Sequence, residues 1–172
     1  KYGKVSSNYS VKDTTTALSR QQLAGNFFFT VPGPKTMWQF GEIGYDYSRY
    51  YDMQSGEVIE GNDGIKVDPK PIRWDYLEDW RRRTLFYTWQ ALIELKKTED
   101  IFKTTDFEMD VYYAMKKIRL TSPEMSMVIL GNFDVLEGVI IPEFYSTGTW
   151  YEFWTGDSLE VTDVNAPISL EA

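Results

Sequence analysis

The chain has 172 residues, no histidine, no cysteine and a formal net charge of −8, and aromatic residues make up 16% of it. Zero cysteine excludes disulfides, thiolate chemistry, iron–sulfur clusters and cysteine-based zinc sites, and zero histidine removes the usual general base, the Ser-His-Asp triad and most zinc or haem ligation. The acidic balance argues against nucleic acid and anionic membranes, which call for a basic face, and no apolar run approaches the ~20 residues of a spanning helix.

Lys1–Lys12 is polar, and with no initiator Met and no signal peptide the sequence reads as the continuation of a longer chain. Asp13, before Thr14-Thr15-Thr16, is a helix N-cap candidate, and Ala17, Leu18, Leu23, Ala24, Phe27 and Phe28 recur at helical intervals. Val31-Pro32-Gly33-Pro34 stops that helix, because proline cannot continue the hydrogen-bond ladder. Thr36-Met37-Trp38-Gln39-Phe40 reads as a short buried strand, completing a helix–turn–strand piece of an α/β unit. Glu42–Tyr76 follows, about 35 residues rich in Gly, Tyr and Asp without periodicity, long against a usual connection of ~4–6 residues. Leu77–Thr98 is the clearest helix, with Leu85, Trp89 and Leu92 on one stripe and Lys96 and Lys97 near its C-terminus.

Beyond Thr98 the period changes to two. The expected strands are Ala114–Leu120, Met125–Phe133, Gly138–Ile141, Thr149–Trp154, Ser158–Thr162 and Ile168–Leu170, with Thr155-Gly156-Asp157 as a hairpin turn. The expected class is α+β: an α/β portion over 1–98, then an antiparallel, Greek-key-like β-sandwich over 99–172.

The densest polar and aromatic group is Phe40-Gly41-Glu42-Ile43-Gly44-Tyr45-Asp46-Tyr47. Aromatic faces stack on pyranose rings and carboxylates accept sugar hydroxyls, so Glu42, Tyr45 and Asp46 are candidate substrate contacts. A glycosidase needs paired carboxyl groups about 5–5.5 Å apart for retention or about 6.5–9.5 Å for inversion. A loop of unknown path fixes neither distance, and the competing reading is that Glu42 braces the loop while the tyrosines pack. Arg73 and Asp75 suit an ion pair that fixes the loop, with Asp75 also near the start of the Leu77 helix. Arg81-Arg82-Arg83 reads as a solvated or acid-paired run. Asp52, Glu57, Glu60, Asp63 and Asp68 could hold calcium but lack the EF-hand spacing, so a bare acidic loop is the simpler reading. Trp150, Tyr151, Phe153 and Trp154, placed on one strand, would point in pairs to core and surface.

Several words occur in order: Phe27-Phe28-Phe29-Thr30-Val31-Pro32-Gly33-Pro34-Lys35, Met37-Trp38-Gln39-Phe40-Gly41-Glu42-Ile43-Gly44-Tyr45-Asp46-Tyr47-Ser48, Lys70-Pro71-Ile72-Arg73-Trp74-Asp75-Tyr76, Gly131-Asn132-Phe133-Asp134 and Thr147-Gly148-Thr149-Trp150-Tyr151-Glu152-Phe153-Trp154-Thr155-Gly156-Asp157. Together they resemble the C-terminal portion of an α-amylase, of Bacteroidetes type, in the large retaining α-glucan-active glycoside hydrolase family. The resemblance implies the last α/β segment of a (β/α)8 barrel, with Lys35–Phe40 as strand eight, followed by a β-sandwich. It implies a parent that hydrolyses α-1,4-glucosidic bonds in starch or maltooligosaccharides, secreted, surface-bound or periplasmic, whose catalytic acids lie on a missing N-terminal part of the barrel. Glu42 then matches a cleft glutamate that is not one of those acids. No cofactor is expected in this chain, although calcium is common in such parents. A non-catalytic carbohydrate-binding module and an interaction domain are the alternatives. A strand at 36–40 without barrel neighbours would expose both edges, so it must pair elsewhere or the helical portion must pack on the strands in its own way.

Overall fold

A computed structural model describes residues 9–172; the expected polar stretch Lys1–Lys12 lies largely outside them. Among the described residues the fold is α+β, with two α-helices and three small antiparallel sheets, and no sheet closes into a barrel. Helix α1 spans Thr14–Thr30, and Asp13 caps it by accepting the Thr16 N–H at 2.9 Å. Helix α2 spans Trp80–Thr98. Its expected start at Leu77 is displaced because Trp74–Glu78 forms a 3₁₀ turn, and Asp79, accepting the Arg81 N–H at 2.9 Å, is the N-cap. Asp79, not Asp75, is therefore the carboxylate at the helix entrance, and its partnership with Arg81 holds its pKa down to about 2.

The helices pack through Gly25, which lets the Trp89 indole lie against the α1 backbone. Trp89 Nε1 donates to the Gln21 carbonyl at 3.3 Å, and its ring meets Phe29 edge-on at 5.3 Å. An interior Gly→Ala change normally adds about 1 kcal/mol of helix stability. Here the added methyl would lie 2.5 Å from Trp89 Nε1, and overpacking of ~1–3 kcal/mol outweighs the propensity gain. Gly25→Ala is expected to lower the Tm by about 3 °C in a thermal melt; a rise would mean that Trp89 can turn aside without loss.

The expected strand at Thr36–Phe40 does not form. Residues 34–38 have no ladder partners among the described residues, and the Gly41 N–H closes a turn onto the Trp38 carbonyl at 3.0 Å. A strand exists only where a neighbour satisfies its backbone, and here no strand lies alongside. Trp38 consequently stands 83% exposed. The long segment after it stays irregular apart from 3₁₀ turns at Gly41–Ile43, Asp63–Ile65 and, at its end, Trp74–Glu78, and an isolated antiparallel bridge between Tyr51 and Val58.

The strands are β1 (Phe107–Asp110), β2 (Met115–Thr121), β3 (Ser126–Asn132), β4 (Gly138–Ile140), β5 (Gly148–Tyr151), β6 (Ser158–Val161) and β7 (Ile168–Leu170). They pair as β1-β2-β3, β4-β7 and β5-β6. β1 was not expected: Phe107 and Met109 alternate with Glu108 and Asp110, but over only four residues, all of them exposed, and β2 supplies the ladder, Phe107 opposite Leu120 through Asp110 opposite Lys117. The expected strand Thr149–Trp154 ends at Tyr151, since Glu152–Asp157 closes the hairpin with Gly156 at φ 75°. Phe153 and Trp154 thus belong to the turn, as does the predicted Thr155-Gly156-Asp157.

Register places Ile118 opposite Ile129 and Leu120 opposite Met127. Ile118 and Leu120 are buried with Phe27 of α1 and with Ile101 and Phe102, so helix and sheet share one core across residue 98. Gly131 allows Phe27 and Leu23 to approach β3 closely. The Asn132 side-chain amide donates to the Leu170 and Glu171 carbonyls at 3.2 and 3.0 Å, and Arg20 of α1 donates to the Asn132 and Asp134 carbonyls. The word Gly131-Asn132-Phe133-Asp134 is therefore a joint between α1, β3 and the end of β7.

Candidate functional site

The segment 40–47 turns twice through the left-handed region, at Phe40 (φ 59°) and at Gly44 (φ 67°). Between them the Phe40 carbonyl accepts the N–H groups of Ile43 and Tyr45, and Phe40, Ile43 and Tyr76 bury together. A left-handed Phe is costly, and burial of its ring against Trp74, edge-on at 4.7 Å, holds it there.

Arg82 of α2 organises the loop. It is 8% exposed and donates to the Ile43 carbonyl at 2.9 Å, the Gly44 carbonyl at 2.5 Å and Asp46 Oδ2 at 3.0 Å. Its guanidinium also lies 3.7 Å from the Tyr76 ring centroid, and that of Arg73 lies 4.0 Å from it. Arg73 holds Asp75 through both carboxylate oxygens, as expected, and donates to the Tyr47 and Tyr76 hydroxyls. Tyr76 in turn donates to Asp46 Oδ1, while Tyr45 donates to the Pro71 carbonyl at 2.6 Å and stacks on Tyr47.

The three sequence candidates thus occupy two kinds of place. Both oxygens of Asp46 and the hydroxyl of Tyr45 are committed inside the frame. Glu42 is half-buried in the 3₁₀ turn Gly41–Ile43, without a hydrogen-bond or ion-pair partner among the described residues. It is the uncommitted carboxylate of the segment. Of the two readings of Arg81-Arg82-Arg83, the acid-paired one holds, Arg81 on Asp79 at 2.6 Å and Arg82 on Asp46 at 3.0 Å, but the burial of Arg82 was not foreseen. The missed signal is spacing: Arg82 lies three residues before Leu85, on the stripe that continues to Trp89 and Leu92. Tyr76, buried at the other side of the loop, was likewise not singled out.

Burial, and then the hydrogen bond to Asp46, push the Tyr76 hydroxyl up to about 12. An unfolded tyrosine titrates near 10, so between about pH 10 and 12 the native state keeps a proton that the unfolded chain loses. This stabilisation is complete below pH 10 and is lost as pH rises through about 12. Urea midpoints measured across that interval should fall more steeply for the native sequence than for Tyr76→Phe; parallel curves would contradict the assignment.

Elsewhere, Asp52 accepts the Gln54 and Ser55 N–H groups and the Ser55 hydroxyl in a local turn, and Asp63 pairs with Lys66 at 2.6 Å. Among the described residues no three His, Cys, Asp or Glu side chains gather to share a metal ion. Among the described residues no exposed pair of rings in contact lies flat. Phe153 and Trp154 stand at 71° and Tyr112 and Tyr113 at 80°, while the more nearly parallel pair, Tyr45 and Tyr47 at 29°, is tied into the loop frame. Trp150 packs on Phe144, with centroids 4.6 Å apart.

No protein-family model and no curated protein sequence matches the chain. Its fold is similar to two crystal structures, AmyP in complex with maltose, at a TM-score of 0.66, and an AmyP variant in complex with maltotriose, at 0.67. Identity is 14% in both, and each match covers 95% of this chain and 34% of the solved chain. The chain spans about a third of the length of the solved chains it matches, and at this identity the likeness is one of fold.

Proposed function

We propose that this chain is the C-terminal portion of a retaining α-glucan hydrolase and is catalytically silent by itself. In this reading 1–98 supply the closing α/β segment of a (β/α)8 barrel, and 99–172 a Greek-key-like sandwich. The ordered words of the sequence and the fold similarity to a protein crystallised with maltose and maltotriose support it. The neighbouring barrel strands, supplied by the missing N-terminal part, would give residues 36–40 the ladder partners they lack and cover Met37 and Trp38. The parent would work outside the cytoplasm, and any calcium would belong to its missing part.

The observation that carries the reading is the division of labour in the loop. Asp46, tied to Arg82 and Tyr76, and Tyr45, tied to Pro71, build a rigid frame, and Glu42 is left to accept hydrogen bonds from the hydroxyls of a bound glucan. Retaining hydrolysis needs a nucleophilic carboxylate and a carboxylic acid facing one bond. With Asp46 committed, Glu42 lacks such a partner in its own segment; it is the resemblance that implies a nucleophile and an acid/base upstream. A reducing-end assay of the purified chain on soluble starch, beside its Glu42→Gln variant, should show turnover from neither. Turnover that disappears in the variant would overturn this reading and make Glu42 a catalytic acid.

A further inference from the structure

A cavity of about 820 Å³ lies far along the chain from Glu42, between the C-terminal halves of α1 and α2 on one side and β5 with its hairpin turn on the other. Its walls include the run Ser122–Leu130, which contains most of β3, and Thr149–Tyr151 of β5; no residue of β2 or β6 lines it. Among the described residues β3 ladders only with β2, and β5 only with β6. Each therefore keeps one backbone edge without a strand, and both edges border the same cavity. Trp154, 46% exposed, forms a fixed wall, because its indole N–H donates to Asn26 Oδ1 of α1 at 3.1 Å.

Free edges beside a void are a template for an added strand. With ~4.8 Å between strands, ~10 Å between layers and ~3.3 Å per residue, each inserted residue fills roughly 160 Å³, so the cavity suits about five residues. Its charged lining residues are Glu99, Glu124 and Glu152, and no Lys or Arg is among them. That charge selects against a second copy of this acidic chain and for an occupant carrying cations beside apolar side chains.

We propose that this cavity is a docking slot for an extended basic and apolar peptide segment of a partner polypeptide, which inserts between β3 and β5 and joins the sheets β1-β2-β3 and β5-β6 into one. The inference goes beyond the hydrolase reading and does not depend on it.

The test is fluorescence anisotropy with a labelled seven-residue peptide of alternating lysine and valine. Two further probes accompany it: the same peptide methylated at alternate backbone nitrogens, and one with glutamate in place of lysine. The unmodified peptide should bind at least tenfold more tightly than either, and Glu124→Lys should weaken it at least threefold. Equal binding of the methylated peptide would overturn the proposal, because the ladder would then contribute nothing. So would an absence of peptide binding, with or without binding of maltoheptaose sensitive to Trp154→Ala, or a concentration-dependent dimer abolished by Glu124→Lys. The starch assay is read separately, so failure of the slot leaves the hydrolase reading standing, and the reverse.

Discussion

Replacing Arg82 with methionine is expected to destabilise the protein by about 3 kcal/mol, a fall in Tm of roughly 6–12 °C. Methionine fills much of the stem's volume, so the loss isolates the guanidinium. Three acceptors depend on that group: the carbonyls of Ile43 and Gly44, both buried, and Asp46. Asp46 can return to water, since its side chain is 60% exposed, which keeps the loss at the low end for a broken buried pair. The two carbonyls have no such escape, and an unpaired buried acceptor costs about 1–3 kcal/mol. Arg82→Lys should recover less than half the loss, because a single ammonium cannot span acceptors that a planar fork reaches together. Thermal and urea melts of both variants decide it: a methionine variant within 1 kcal/mol of the native sequence would mean that the loop is held by its aromatic packing alone.

How far this was legible in the sequence varies with the range of the forces involved. α1 could be read to the residue because Asp13 and Val31-Pro32 are local signals that act within one turn. The hairpin at Gly156 was legible for the same reason, as was the Arg73–Asp75 pair, two residues apart. Thr36–Phe40 was misread because an apolar run states only that something must be buried; whether it becomes a strand depends on neighbours far away in sequence or absent. β1 was missed in the converse way: Phe107 and Met109 alternate with Glu108 and Asp110 over too short a run to stand out, and the ladder offered by β2 makes it a strand. The candidate segment around Glu42 was visible as a dense word, but its internal division was not. That Asp46 is committed and Glu42 uncommitted follows from Arg82 and Tyr76, which lie 36 and 30 residues beyond Asp46.

The expected boundary at residue 98 bears directly on the second large effect, that of Ile118→Ala. Ile118 is fully buried, and its neighbours in the core come from both sides of that boundary: Phe27 on α1, Ile101 and Phe102 just past α2, and Leu120 on its own strand. Truncation leaves a cavity against rigid aromatic rings, and such changes cost about 2–5 kcal/mol, so a loss of about 3 kcal/mol, or roughly 6–12 °C, is expected. The informative part is which signals move. Two independent domains would let the helical circular dichroism of α1 and α2 keep its midpoint while that of the resolved ¹⁹F resonances of 5-fluorotryptophan at Trp150 and Trp154 shifted. A shared core, reinforced by Arg20 on the Asn132 and Asp134 carbonyls and by Trp154 on Asn26, makes the two halves one cooperative unit, and both midpoints should fall together. Separation of the two transitions would refute that unit. Coincidence would mean that the segment bearing Glu42, which rests on α2, stands or falls with the core that the helices share with the strands, so mutations far from the loop would reach the site through stability alone.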